Sequence, residues 1–127
     1  MAYNLLKGKR GIIFGALNDQ SIAWKVAERA VEEGARIVLT NTAVACRMGT
    51  IDELAKKTDA VIIPADATSV ADLENLFVEA QKALGGKIDF VLHSCAMSVN
   101  MRKKRTYDDL DYGFLDKTLD ISAISFH

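Results

Sequence analysis

Apolar positions along the chain follow two rhythms that alternate. Gly11-Ile-Ile-Phe14, Arg36-Ile-Val-Leu-Thr-Asn41, Val61-Ile-Ile-Pro64 and the stretch Lys87 to His93 are short runs with a continuous apolar centre, the pattern of strands covered on both faces. Between them the spacing becomes helical. Ile22, Ala23, Val26, Ala27, Ala30 and Val31 recur at helical intervals until Gly34, and Ile51 to Lys57 form a shorter helix. Val70, Leu73, Phe77, Ala80 and Leu84 are expected to line one face of a further helix that stops at Gly85-Gly86, with Ser69 and Asp72 as a capping box. Thr42 to Gly49 is expected to be a connection, and Pro64 to end the third strand.

Strands alternating with helices at this spacing define an α/β class with a parallel, doubly wound sheet. The expected strand order is 3-2-1-4, with the first two helices on one face and the later ones on the other. Ligands in such sheets bind at the carboxyl ends of strands beside the point where the order reverses, here Gly15 and Ser94-Cys95-Ala96. The last stretch is expected to open as a capping box at Thr106-Tyr-Asp-Asp109. From there a helix is expected to run through Leu110, Phe114, Leu119, Ile121 and Ile124 to the end of the chain, which then stops in mid-helix. It is apolar on more than one face, as a helix buried between its own sheet and another subunit would be.

Within this frame Arg10 to Trp24 stands out: an apolar strand runs into Gly15, a polar loop follows, and Ser21 takes the N-cap position of the next helix. A glycine there lets backbone approach a pyrophosphate, and the helix start offers unpaired N–H groups to the anion. The G-x-G-x-x-G pattern is not met, because Ala16-Leu-Asn-Asp-Gln20 contains no second glycine. On this window alone an ordinary strand-loop-helix accounts for the residues equally well.

Composition narrows the classes without choosing a function. The chain has 127 residues, half of them apolar, and a net charge of -1, enough for one packed domain and no general attraction to nucleic acid or membrane. No apolar run has the length to span a bilayer and the first residues lack a signal-peptide core, so a cytoplasmic location is expected. Cys46 and Cys95 have no C-x-x-C spacing, and His93 and His127 have no ligand partners at metal spacing, so no metal site is expected. Nothing near Cys95 in sequence lowers its pKa, and an inert thiol is expected. Asp66 has the residue type of a turn, but its place after a parallel strand favours a cofactor contact. The basic run Arg102-Lys-Lys-Arg105 reads first as a solvated loop, and second as a rim where an acidic partner docks.

Together, Gly8-Lys-Arg10, Gly15-x5-Ser21-Ile22-Ala23, Asp66-Ala67, His93-Ser94-Cys95-Ala96 and Asp120-Ile-Ser122 resemble the N-terminal part of the NADH-dependent enoyl-[acyl-carrier-protein] reductases. These form a branch of the short-chain dehydrogenase/reductase superfamily serving bacterial fatty-acid synthesis. The resemblance covers the whole chain and implies that residues 1–127 are the N-terminal part of a single NAD-binding, Rossmann-like domain. By resemblance Gly15, Ser21 and Ile22 lie at the pyrophosphate, Thr42 at the adenosine end, Asp66 and Ala67 at the adenine, Cys95 beside the nicotinamide half through its backbone, and Ser98 in the substrate pocket. Family members usually carry an aliphatic residue in place of Cys95 and often glycine in place of Ala96.

NADH rather than NADPH follows from the resemblance alone. Thr40-Asn41-Thr42 offers no acidic residue to the ribose hydroxyls, and Arg47 is a cation suited to a 2′-phosphate. The family's tyrosine, with a lysine six residues on, is not in this chain, so no catalytic residue is expected here. The implied substrate is an enoyl group on acyl carrier protein, and the implied assembly a homotetramer. Two alternatives are another short-chain reductase of the 3-oxoacyl type and a non-catalytic nucleotide-binding module.

Overall fold

The computed structural model describes residues 2–127, and its contacts group them into two compact units, one running through Ser94 and the other Cys95–His127. The first holds a four-stranded parallel sheet: β1 (Arg10–Phe14), β2 (Arg36–Thr40), β3 (Val61–Ile62) and β4 (Phe90–His93), in the order β3-β2-β1-β4. This is the expected order. Arg10 lies opposite Arg36 and Phe14 opposite Thr40 across β1 and β2, and Gly11 faces Phe90 and Phe14 faces His93 across β1 and β4.

Alternation along the strands sorts the side chains into two layers. On one face Ile13, Ile37 and Leu39 pack with Ala23, Trp24 and Ala27 of α1 (Ile22–Glu32) and with Ile51 and Leu54, which belong to a later helix. The alanines of α1 let its backbone lie close to the sheet. Ile12, Phe14, Val38 and Thr40 face the other way, where α4 (Val70–Leu84) runs along β2 after the intervening helices α2 (Ala43–Met48) and α3 (Ile51–Thr58). Ile12, Ile13 and Leu39 have no exposed surface, and each such side chain contributes about 1.5–3 kcal/mol of transfer free energy.

Four local expectations are corrected. Residues 42–49 are not a bare connection, because Thr42 Oγ1 accepts from Ala45 N at 3.2 Å and starts the short helix α2. In α4 the buried stripe is Leu76, Ala80 and Leu84 while Val70 is 71% exposed, so the core-facing row follows i, i+4, i+8 from Leu76. The box at Ser69 is half formed: Ser69 Oγ accepts from Asp72 N at 3.3 Å, but Asp72 Oδ2 accepts from Asp66 N at 2.9 Å. The outer strands are also shorter than their apolar runs, β3 having two residues and β4 starting at Phe90.

At the amino end of the sheet Arg10 Nε and Arg36 Nη1 both donate to the Leu84 carbonyl at 3.0 Å, placing two cations at the negative end of α4. α1 is tied to α3 through Glu28, which accepts from Lys57 Nζ at 2.7 Å and from Trp24 Nε1 at 3.0 Å. The Lys57 bond holds the Glu28 carboxyl below its ordinary range and raises the Lys57 ammonium.

The second unit contains α5 (Val99–Arg102), a 3-10 turn at Tyr107–Asp109, α6 (Tyr112–Ser122) and a second 3-10 turn at Ile124–Phe126. Thr106 therefore does not open the long helix. Leu110 is extended at φ -77° and ψ 138°, and Asp111 caps α6 by accepting from Phe114 N at 2.9 Å. No residue of α6 is fully buried, and the helix ends at Ser122, whose hydroxyl accepts from Met97 N at 3.1 Å. Among the described residues no helix is long and apolar enough to cross a membrane.

Candidate cofactor site

Gly15 follows β1 at φ +99°, a left-handed conformation that side chains disfavour, and its N–H donates to Thr40 O at 3.2 Å. The chain thereby leaves the sheet without losing its tie to β2. The next residues form a loop held at several points. Asn41 Nδ2 donates to Ala16 O at 2.9 Å, Thr50 N donates to Leu17 O at 2.9 Å, and Asn18 Oδ1 accepts from Gln20 N at 3.0 Å. Gly49 permits the second of these contacts, since a Cβ there would lie 2.3 Å from the Leu17 carbonyl oxygen.

Ser21 occupies the N-cap position of α1, yet its side chain caps no helical N–H. It turns back instead: Oγ accepts from Leu17 N at 3.0 Å and from Asn18 N at 3.1 Å. This corrects the expected capping role. A serine hydroxyl has two acceptor positions and one proton, so with both acceptors used by the loop the proton remains to be donated. The N–H groups of Ile22 and Ala23 at the start of α1 receive no side-chain cap, Trp24 N donating to Ser21 O at 3.1 Å, and the first turn carries no acidic residue. The hydroxyl proton and the helix start thus present donors to an anion. Ile22, beside them, is 75% exposed.

Because β1, β2 and β3 are parallel, the residues after each lie on the same edge of the sheet. Asn41 laces them together, its side chain reaching Ala16 after β1 and its carbonyl accepting from Ala65 N at 3.0 Å after β3. Asn41 is the residue that sequence reasoning missed as part of the site. Its only signal was an amide at the end of a buried strand, where it can bond backbone on either side. Thr42 is exposed and has its N–H on Asn41 Oδ1 at 2.9 Å.

Asp66 lies beyond β3 and is exposed, with Ala67 half-buried beside it. Its Oδ1 accepts from the Thr68 N–H at 2.8 Å and the Thr68 hydroxyl at 2.7 Å, the turn role its residue type favours. The first unit thus brings Gly15, Ser21, Ile22, Thr42, Asp66 and Ala67 to one sheet edge.

Cys95 and Ser98 belong to the second unit. Burial pushes the Cys95 thiol above its ordinary value, partly offset by a bond with Ser125, and burial acts likewise on Cys46. Ser98 caps α5, its Oγ accepting from Met101 N at 3.3 Å. Among the described residues no group of three or more His, Cys, Asp or Glu is placed to hold a metal ion.

Sheet order, the glycine-to-helix loop and a reversal between β1 and β4 define a Rossmann-like α/β protein. The profile of the Enoyl-(Acyl carrier protein) reductase family matches residues 15–127. A crystal structure of a FabI-NADH complex from Alistipes finegoldii is 73% identical with a TM-score of 0.96, covering 98% of this chain and 44% of that one. Another, an enoyl reductase from Anaplasma phagocytophilum in complex with NAD, is 30% identical with a TM-score of 0.83 and covers 95% of this chain and 46% of that one. Enoyl-[acyl-carrier-protein] reductase [NADH] 1 of Rhizobium meliloti is 36% identical across 98% of this chain and 46% of its own length. The chain belongs to the enoyl-(acyl carrier protein) reductase family, and it spans about half the length of the curated relatives it matches.

Proposed function

We propose that the chain is the cofactor-binding part of an NADH-dependent enoyl-[acyl-carrier-protein] reductase. The observation that carries this reading is the loop from Gly15 to Ser21, whose shape is set by Asn41, Thr50 and Ser21 and which leaves the Ser21 hydroxyl proton and the first N–H groups of α1 for a pyrophosphate. Gly15, Ser21 and Ile22 hold the pyrophosphate, Thr42 lies at the adenosine end, Asp66 and Ala67 at the adenine, Cys95 beside the nicotinamide through its backbone, and Ser98 in the substrate pocket. The relatives are named for NADH, which supports NADH over NADPH. A nicotinamide bound there would supply a hydride to the β-carbon of a trans-2-enoyl thioester, with water as the source of the proton taken up at the α-carbon. A tyrosine and lysine outside this chain stabilise the thioester oxygen and hold the ribose. The whole protein is a cytoplasmic homotetramer, and residues 1–127 form the N-terminal part of one NAD-binding domain.

NADH oxidation by the full-length protein with a crotonyl thioester tests the reading. Turnover with crotonyl but not 3-oxoacyl thioesters is the expected result. Reduction of 3-oxoacyl thioesters alone would place the protein in the other reductase branch, and NADH binding without turnover of either would make it a nucleotide-binding module.

A further inference from the structure

The segment between β4 and α5, residues 94–98, has no regular structure, so its backbone groups have no ladder or helix to pair with and need partners elsewhere. Met97 finds a partner for both of its own on one side chain. Its N–H donates to Ser122 Oγ at 3.1 Å, and its carbonyl accepts from the same hydroxyl at 3.3 Å. A serine hydroxyl has one proton to donate and accepts as well, so a single oxygen clasps the segment in both directions.

Ser122 differs in this from the hydroxyls around it. Thr118 Oγ1 donates to Phe114 O at 2.8 Å and Ser125 Oγ to Ile121 O at 2.6 Å, the usual outlet of such a group, the carbonyl four residues earlier. Ser122 is the last residue of α6, and the chain leaves helical geometry at Ala123, φ -127° and ψ -55°, before the turn at Ile124–Phe126. At that break its hydroxyl bonds across to Met97 rather than along its own helix. A second tie follows one turn on, where the Ser125 side chain bonds with Cys95. Two serines thus hold the irregular segment at Cys95 and Met97, and Ser98, the N-cap of α5, comes directly after.

We propose that Ser122 is a positioning residue for the nicotinamide end of the cofactor and for the substrate, its hydroxyl fixing the course of the backbone from Cys95 to Ser98. The inference rests on the proposed reductase function, which sets Cys95 beside the nicotinamide and Ser98 in the substrate pocket. Hydride transfer depends on how closely the two bound carbons are aligned, and a misplacement of about 1 Å costs on the order of a hundredfold in rate. Loosening this backbone therefore affects turnover more than stability. The contacts proposed for the adenosine and pyrophosphate, at Gly15, Ser21, Thr42 and Asp66, belong to the first unit and are made without the clasp.

Comparing two ligands of the full-length protein separates positioning from a purely structural role. In Ser122→Ala the melting temperature and the affinity for ADP-ribose, which lacks the nicotinamide, are expected to change little. NADH affinity is expected to fall by roughly threefold or more, and kcat with a crotonyl thioester by roughly ten- to a hundredfold. Hydrogen exchange of residues 94–98 in the ligand-free variant is expected to quicken. Ser122→Cys, close in size and a weaker hydrogen-bonding group, is expected to lie between Ser122→Ala and the parent, and it carries the comparison should Ser122→Ala fail to fold. Parental NADH affinity and kcat in whichever variant folds would overturn the proposal. Equal losses of NADH and ADP-ribose affinity would overturn it too, leaving Ser122 a bolt of the fold. A parent that binds NADH but reduces no enoyl thioester would sink the proposed function, while a loss of NADH affinity relative to ADP-ribose in Ser122→Ala would still sustain the clasp.

Discussion

Replacing Ser21 with alanine isolates the group on which the pyrophosphate assignment rests. The hydroxyl accepts two loop N–H bonds, at 3.0 and 3.1 Å, and keeps one proton to donate. The loop has other ties, from Asn41 to Ala16 and from Thr50 to Leu17, so loss of the two half-exposed bonds costs about 1 kcal/mol or less of folding stability, water taking over part of them. The proton aimed at a phosphate is a different quantity, because a hydrogen bond to a charged group is worth about 1.5–3 kcal/mol. NADH affinity of the full-length Ser21→Ala protein is therefore expected to fall by about ten- to a hundredfold, with a nearly unchanged melting temperature. Ser21→Thr, which retains the hydroxyl, should recover most of the loss. Calorimetric titration with NADH makes the comparison. An affinity within about threefold of the parent in a folded Ser21→Ala protein would refute the assignment of Ser21 to the pyrophosphate, leaving it a loop clamp.

Three further outcomes follow from the packing. A Cβ on Gly11 would lie 2.2 Å from the Phe90 ring across the β1–β4 pairing, so Gly11→Ala is expected to destabilise by about 1–3 kcal/mol in urea titration, and adding Phe90→Leu should restore part of it; a neutral Gly11→Ala would mean the ring is not held there. Glu33, 4% exposed, accepts from Leu5 N at 3.1 Å and Tyr3 N at 2.8 Å, and these bonds hold its carboxyl below the ordinary 4.5. Its contribution is therefore fully present above pH 4.5 and is lost as pH falls through the lowered folded value; Glu33→Gln should flatten that acid limb in a pH series of urea titrations, and an unchanged limb would remove Glu33 as its source. Residues 1–127 expressed alone expose the outer edge of β4, where Val91 is 41% exposed, and are expected to bind NADH poorly, turn over no substrate and self-associate at micromolar concentration; a monodisperse monomer with turnover in size-exclusion and NADH-oxidation assays would contradict this.

What the sequence by itself determined is the part governed by short-range chemistry. Strand-helix alternation, the continuous apolar centres of β1 and β2, and the breaks at Gly34 and Gly85 are enough for a parallel sheet in the order 3-2-1-4, because crossover handedness and two-sided burial leave few other topologies. The same reading placed Gly15, Ser21 and Asp66 at strand ends, since ligand sites in such sheets follow from topology. Tertiary structure decided which way the polar side chains turn. Ser21 has the residue type of an N-cap, but Oγ has equally good donors in the loop behind it, and only the folded course of residues 15–20 selects them. Asp72 likewise left its own box for the Asp66 N–H, and Asp111 rather than Thr106 started α6 once the chain turned extended at Leu110. Asn41 became the lace between β1 and β3 only because a parallel sheet sets their ends on either side of it. A hydrogen bond between residues distant in sequence depends on register and loop path, which no local pattern encodes, whereas burial periodicity repeats every few residues and survives in the sequence alone.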